Sequence, residues 1–132
     1  MRRTSRKISL APRAAKSSGM TPEKFRRLAL SFDGAFESAH MNHPDFRAAG
    51  RIFATLGYPE DNLGMVKLTS EQQSVFVAKS PRSFTPCNGA WGRAGCTNVH
   101  IPSVTATTLR AALTAAWRNA VSQTKRRNRS AA

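Results

Sequence analysis

An α+β fold, an antiparallel β-sheet with helices packed on one face, follows from three features of the sequence. Short segments of strand character stand between segments of helical periodicity. The links between those strands are too short for the crossovers that a parallel sheet needs. All ten aromatics (seven Phe, two Trp, one Tyr) fall between Phe25 and Trp117, which confines the core to that span.

Each element has a local reason. Thr21-Pro22-Glu23 opens the first helix, because a hydroxyl caps orphan amides and a proline at the first helical position gives up no needed N–H. Phe25, Leu28, Ala29 and Phe32 then repeat at helical spacing, Lys24, Arg26 and Arg27 point away, and Asp33-Gly34 stops the helix. After a polar link, 45–48 and 51–56 alternate as paired strands about an Ala49-Gly50 turn. Residues 57–62 form a second connection and 64–68 another strand. Thr69-Ser70-Glu71-Gln72 is a capping box for a short helix to about Lys79, which Ser80-Pro81 ends. Ser83 to Thr85 reads as a short strand and 96–101 as a better one, with the glycine-rich stretch 89–95 as a loop between them. Leu109, Ala112, Leu113, Ala116, Trp117, Ala120 and Val121 make one apolar stripe on the last helix, with Arg110 at its rim and Arg118 well off it. There is no internal repeat.

The 132 residues suit one domain with a real core. The formal net charge of +14 is unevenly placed. Residues 1–20 carry six cations (Arg2, Arg3, Arg6, Lys7, Arg13, Lys16) and 122–132 four more (Lys125, Arg126, Arg127, Arg129), with no acid in either stretch. Residues 21–121 hold eleven cations and all seven acids, a net +4. The expected organisation is therefore a domain over 21–121 between a disordered basic tail at 1–20 and a basic C-terminal tail at 122–132. The first tail is rich in Arg and Ser, as organellar presequences are, but Pro12 breaks its apolar run, and no stretch approaches the ~20 apolar residues that span a bilayer. A cytoplasmic location away from membranes is expected, with Cys87 and Cys96 as free thiols.

The search for catalytic motifs is negative: there is no nucleophile elbow, H-E-x-x-H, Walker loop or G-x-G-x-x-G. A non-enzymatic protein with no catalytic residues, cofactor or metal is expected. His40, His43 and Asp45 can be read as a base with its orienting carboxylate, or as metal ligands with Cys87, Cys96 and His100, but H-x-x-H without a nearby C-x-x-C is a weak metal pattern. The plainer reading has His43-Pro44 shaping the entry to a strand and His40 hydrogen-bonding in a loop or at a sheet edge. Trp91, beside Arg93 among glycines, either stacks on a nucleic acid from a flexible wing or folds back to close the core. Arg47 and Arg51 flank a hairpin turn and either reach one partner phosphate or stand as solvated edge residues. Trp117 is expected in the core. The tail cations would supply sequence-independent affinity for a polyanion through counterion release, or else only solubility.

Six segments together resemble the MmcQ/YjbR family of small bacterial proteins: 21–30, 40–47, 51–56, 64–68, Gly89-Ala90-Trp91-Gly92 and Ala116-Trp117-Arg118-Asn119. The resemblance covers about Thr21 to Val121. It implies the frataxin-like (CyaY-like) fold and a double-wing arrangement associated with DNA binding. Carried over by position, the wings are Arg47 and Arg51 around one hairpin and Trp91 and Arg93 in the other loop; Arg118 is also expected among the nucleic-acid-binding residues. The partner expected is DNA, bound with low sequence specificity by a chain that is most simply a monomer. Two features depart from the family: Ala49 stands where the turn usually has a first glycine, and the basic ends lie outside the family core. Frataxin-like iron handling needs an acidic ridge, whereas the first helix offers Glu23 against Lys24, Arg26 and Arg27. The competing function is a protein- or small-molecule-binding crevice near His40, His43, Arg47 and Trp91.

Overall fold

The computed structural model describes residues 19–57 and 60–131, with side chains as far as Gln123. Its elements are α1 (Pro22–Leu30), β1 (Phe36–His40), β2 (His43–Ala48), β3 (Arg51–Leu56), β4 (Leu63–Lys67), α2 (Ser70–Lys79), β5 (Phe84–Pro86), α3 (Gly89–Arg93), β6 (Cys96–His100) and α4 (Ala106–Ala131). The six strands form one sheet in the order β1-β2-β3-β4-β6-β5, antiparallel at every step. The α+β architecture read from the sequence is the one observed.

The register sorts side chains by face. Phe46, Ala54, Val66 and Thr97 lie opposite one another across four strands, and Leu56, Gly64, Val99 and Phe84 form the next row on that side. All eight are buried. Helices α1 and α4 cover this face, with Phe25, Ala29, Leu109, Ala112, Leu113 and Ala116 packed into the same core. Gly64 is glycine because the Phe25 ring lies on it: a Cβ there would sit 2.8 Å from that ring. The opposite face carries the mostly polar row Asp45, Thr55, Met65, Asn98 and Thr85.

The helix caps follow the sequence. Thr21 Oγ1 accepts from the Lys24 amide at 3.2 Å. In α2 both halves of the capping box form, Gln72 N to Thr69 Oγ1 at 3.1 Å and Thr69 N to Gln72 Oε1 at 2.9 Å. Helix α1 ends earlier than its apolar spacing suggests, at Leu30, which frees Phe32 to stack on Trp117 at 5.8 Å and meet Phe53 edge-on at 6.3 Å. Trp117 is half-buried rather than fully in the core, since its Nε1–H must reach the Asp33 carbonyl, 2.9 Å away.

Three regions differ from the sequence reading. The polar link after α1 is a strand, β1, joined to β2 by a two-residue turn in which Met41 and Asn42 both have positive φ (51° and 66°). The glycine-rich loop is the one-turn helix α3. The last helix does not stop near Val121: its backbone runs to Ala131, so the expected boundary at 121 falls within α4 and Lys125, Arg126, Arg127 and Arg129 lie along its last turns. Residues 1–18, including Arg2, Arg3, Arg6 and Lys7, lie outside the described residues.

Candidate functional site

At the end of the sheet where β2 turns into β3 there is an open groove of about 780 Å³. Its walls come from the β2–β3 hairpin (Arg47, Arg51), the end of β4 (Lys67), the start of α2, helix α3 (Trp91) and the face of α4 from Ala116 to Gln123. Asn119 fixes two of these walls together, its Nδ2 donating to the Lys67 carbonyl at 3.1 Å and to Gln72 Oε1 at 2.8 Å. Three cations, Arg47, Arg51 and Lys67, line the groove against one acid, Glu71.

Trp91 is 68% exposed, so it does not close the core. The turn that bears it is nevertheless held tightly. Gly92 packs so closely on Cys87 that an added Cβ would sit 1.7 Å from the Cys87 carbonyl oxygen, and Gly95 approaches the Leu68 carbonyl in the same way, at 2.0 Å. Gln73 Nε2 reaches the carbonyls of Gly92 (3.0 Å) and Cys96 (2.9 Å) and the Thr97 hydroxyl (3.2 Å). The indole is thus presented outward from a fixed platform, with the Lys67 ammonium 5.9 Å from its ring centroid.

Arg47 and Arg51 both line the groove, but they come to it from different sides of the hairpin. Arg47 lies opposite Ile52 and Arg51 opposite Ala48, so alternation sends the two side chains to opposite faces of the hairpin. Arg47 grips Asp45 with two bonds, Nε to Oδ1 at 2.8 Å and Nη2 to Oδ2 at 3.1 Å, and His40 Nδ1 lies 2.7 Å from Oδ2. The Asp45 side chain is wholly buried. The Arg47 guanidinium holds its carboxyl below the usual range against the opposing pull of burial, and His40 adds to the effect. Arg51 and Lys67 take part in no ion pair among the described residues.

The remaining candidates are scattered. Arg93 and Arg118 are exposed and line no part of the groove; on α4, Arg118 is two residues from Ala116, roughly 200° around a helix of 3.6 residues per turn. His40 and His43 face each other at the β1–β2 turn, at the far end of β2 from Arg47, so the groove contains Arg47 and Trp91 of the expected crevice but neither histidine. His40 does hydrogen-bond at a sheet edge, as its sequence setting suggested. Among the described residues no three of His, Cys, Asp and Glu gather where a metal could be held. Cys87 and Cys96 are free thiols; burial, with Cys96 adjacent, pushes Cys87 up to about 11, and burial raises Cys96 as well, so neither thiolate is favoured at neutral pH. Sequence reasoning missed Lys67, Gln73 and Asn119, whose roles depend on the groove and on contacts between distant segments.

A family model for YjbR matches residues 30–119. The crystal structure of protein DR2400 of Deinococcus radiodurans, a protein with a DUF419 domain, superposes with a TM-score of 0.63 at 16% identity, covering 74% of this chain and 76% of that one. At that identity the likeness concerns the fold. Comparison with curated proteins gives no match. No described helix is long and apolar enough to cross a membrane.

Proposed function

The chain belongs to the YjbR family, and we propose that it is a non-enzymatic DNA-binding protein that engages phosphates with its end groove and its basic C-terminal helix. The observation that carries this reading is a continuity: residues 116–123 of α4 wall a groove bearing Arg51 and Lys67, and the same helix runs on through Lys125, Arg126, Arg127 and Arg129. A polyanion lying in the groove would meet those cations without leaving the helix. Each neutralised phosphate releases counterions, so affinity should be strong at low salt and carry little sequence preference. The cations at residues 2–16 would add to this term.

The test is DNA affinity against salt for the full chain and for a full-length variant with Lys125, Arg126, Arg127 and Arg129 changed to Gln. The logarithm of affinity should fall with a slope of about −0.9 per phosphate neutralised, and the variant should bind more weakly with a shallower slope. No binding by the wild-type chain at low salt overturns the proposal. The groove's concavity favours a second reading, a small anionic ligand held by Arg51, Lys67 and Trp91. Binding of that kind would be indifferent to the four substitutions in α4.

A further inference from the structure

We infer that the groove takes single-stranded nucleic acid, with one unpaired base stacked on Trp91 and the adjoining phosphates on Lys67 and Arg51. This rests on the DNA-binding reading of the same site and specifies the form of nucleic acid. Three observations support it. The first is the indole itself, 68% exposed on a platform that cannot easily move. A large apolar ring left in water forgoes the gain of burial, and here the close packing of Gly92 and Gly95 and the contacts of the Gln73 amide with Gly92, Cys96 and Thr97 hold it facing outward. A fixed, outward aromatic is what a stacking platform requires, since little conformational freedom is lost when a base lies on it.

The second observation is the spacing of charge around the ring. The Lys67 ammonium lies over the indole ring, 5.9 Å from its centroid, so a phosphate drawn to it is held close to the ring. Arg51 stands on the hairpin wall of the same groove, and neither cation is committed to an acid among the described residues. The third is shape. In a duplex the base faces are stacked on one another, and a convex double helix presents its phosphates outward. The site is instead an open, concave groove of about 780 Å³. A strand whose bases are turned out can lay one on the exposed indole, whereas the bases of an intact duplex are already stacked on one another.

The experiment uses the full chain at low salt, titrated with an oligothymidylate of about 12 nucleotides and with a duplex of the same length. Trp117→Phe leaves Trp91 as the only indole, so quenching of the remaining emission reports on the ring itself. The single strand should bind more tightly than the duplex and quench that emission. Trp91→Ala should weaken single-strand binding by about five- to a hundredfold, the range for losing one base stack, while duplex affinity changes less than about twofold. Trp91→Phe should recover part of the loss. Equal affinity for the two forms, or a Trp91→Ala chain that binds the single strand as wild type does, overturns the inference while leaving phosphate binding intact. Absence of binding to either form at low salt overturns both readings.

Discussion

A carboxylate with no exposure needs its charge answered, and Asp45 has two partners in Arg47 and His40. Removing the charge while keeping the shape, as in Asp45→Asn, should destabilise the fold by about 1.5–3 kcal/mol, the range for hydrogen bonds to charged groups. The effect has a defined pH dependence. The folded-state pKa of Asp45 is lowered, so its pairing contributes stability above the ordinary carboxylate range near pH ~4, and that contribution is lost as pH falls through the depressed value. The difference in unfolding free energy between wild type and Asp45→Asn, measured by urea titration, should be full at neutral pH and close in acid. A gap that stays constant to about pH 2 would mean that the Asp45 charge is not what the pairing stabilises. This residue also explains why Arg47 was legible in sequence only as a cation beside a turn. Asp45 and Arg47 are two apart, so strand alternation puts them on one face, but only the burial of the row Asp45–Thr55 makes that pairing obligatory.

At the level of elements, the segments with strong periodicity or capping chemistry were readable, and those without were not. The box at Thr69–Gln72 and the stripe on α4 state their structure in the residues themselves. Strand β1 does not: Phe36-Glu37-Ser38-Ala39-His40 is an edge strand, largely exposed, with no alternation to betray it, and its Met41-Asn42 turn lacks the glycine expected of that geometry. Helix α3 is hidden by glycines that signal a loop in isolation. Their purpose, close approach of Gly92 to Cys87 and of Gly95 to Leu68, involves neighbours that the sequence does not identify. Gly92→Ala should therefore cost about 1–3 kcal/mol by overpacking, read as a lowered urea midpoint. It should also weaken nucleic-acid binding by displacing Trp91, although Gly92 itself lies buried beneath the ring's platform. Unchanged stability would show that α3 yields readily and is not the fixed support described above. The C-terminal extension of α4 looks like a tail in the sequence because its apolar stripe ends near Val121, while Lys, Arg and Gln are good helix formers that need no stripe to continue a helix already begun.

For the whole molecule, the charge of +14 is best seen by what each cation is committed to. Arg26 is held by Glu23 and Glu37, and Arg47 by Asp45, so two of the domain's cations are spent within the fold. Arg51 and Lys67 remain at the groove, and four more follow along α4. The segregation of charge was legible in the sequence. Its alignment with a groove was not, because the groove joins residues from seven elements separated by up to 76 positions in the chain, from Arg47 to Gln123. DNA should therefore be bound at this end of the sheet. The most direct measurement is nuclear magnetic resonance mapping of the full chain as DNA is added. Shifts should concentrate at Arg51, Lys67, the Trp91 indole N–H and residues 116–131. Shifts centred instead on the β1 edge from Phe36 to His40, with the Trp91 indole and α4 unmoved, would contradict it.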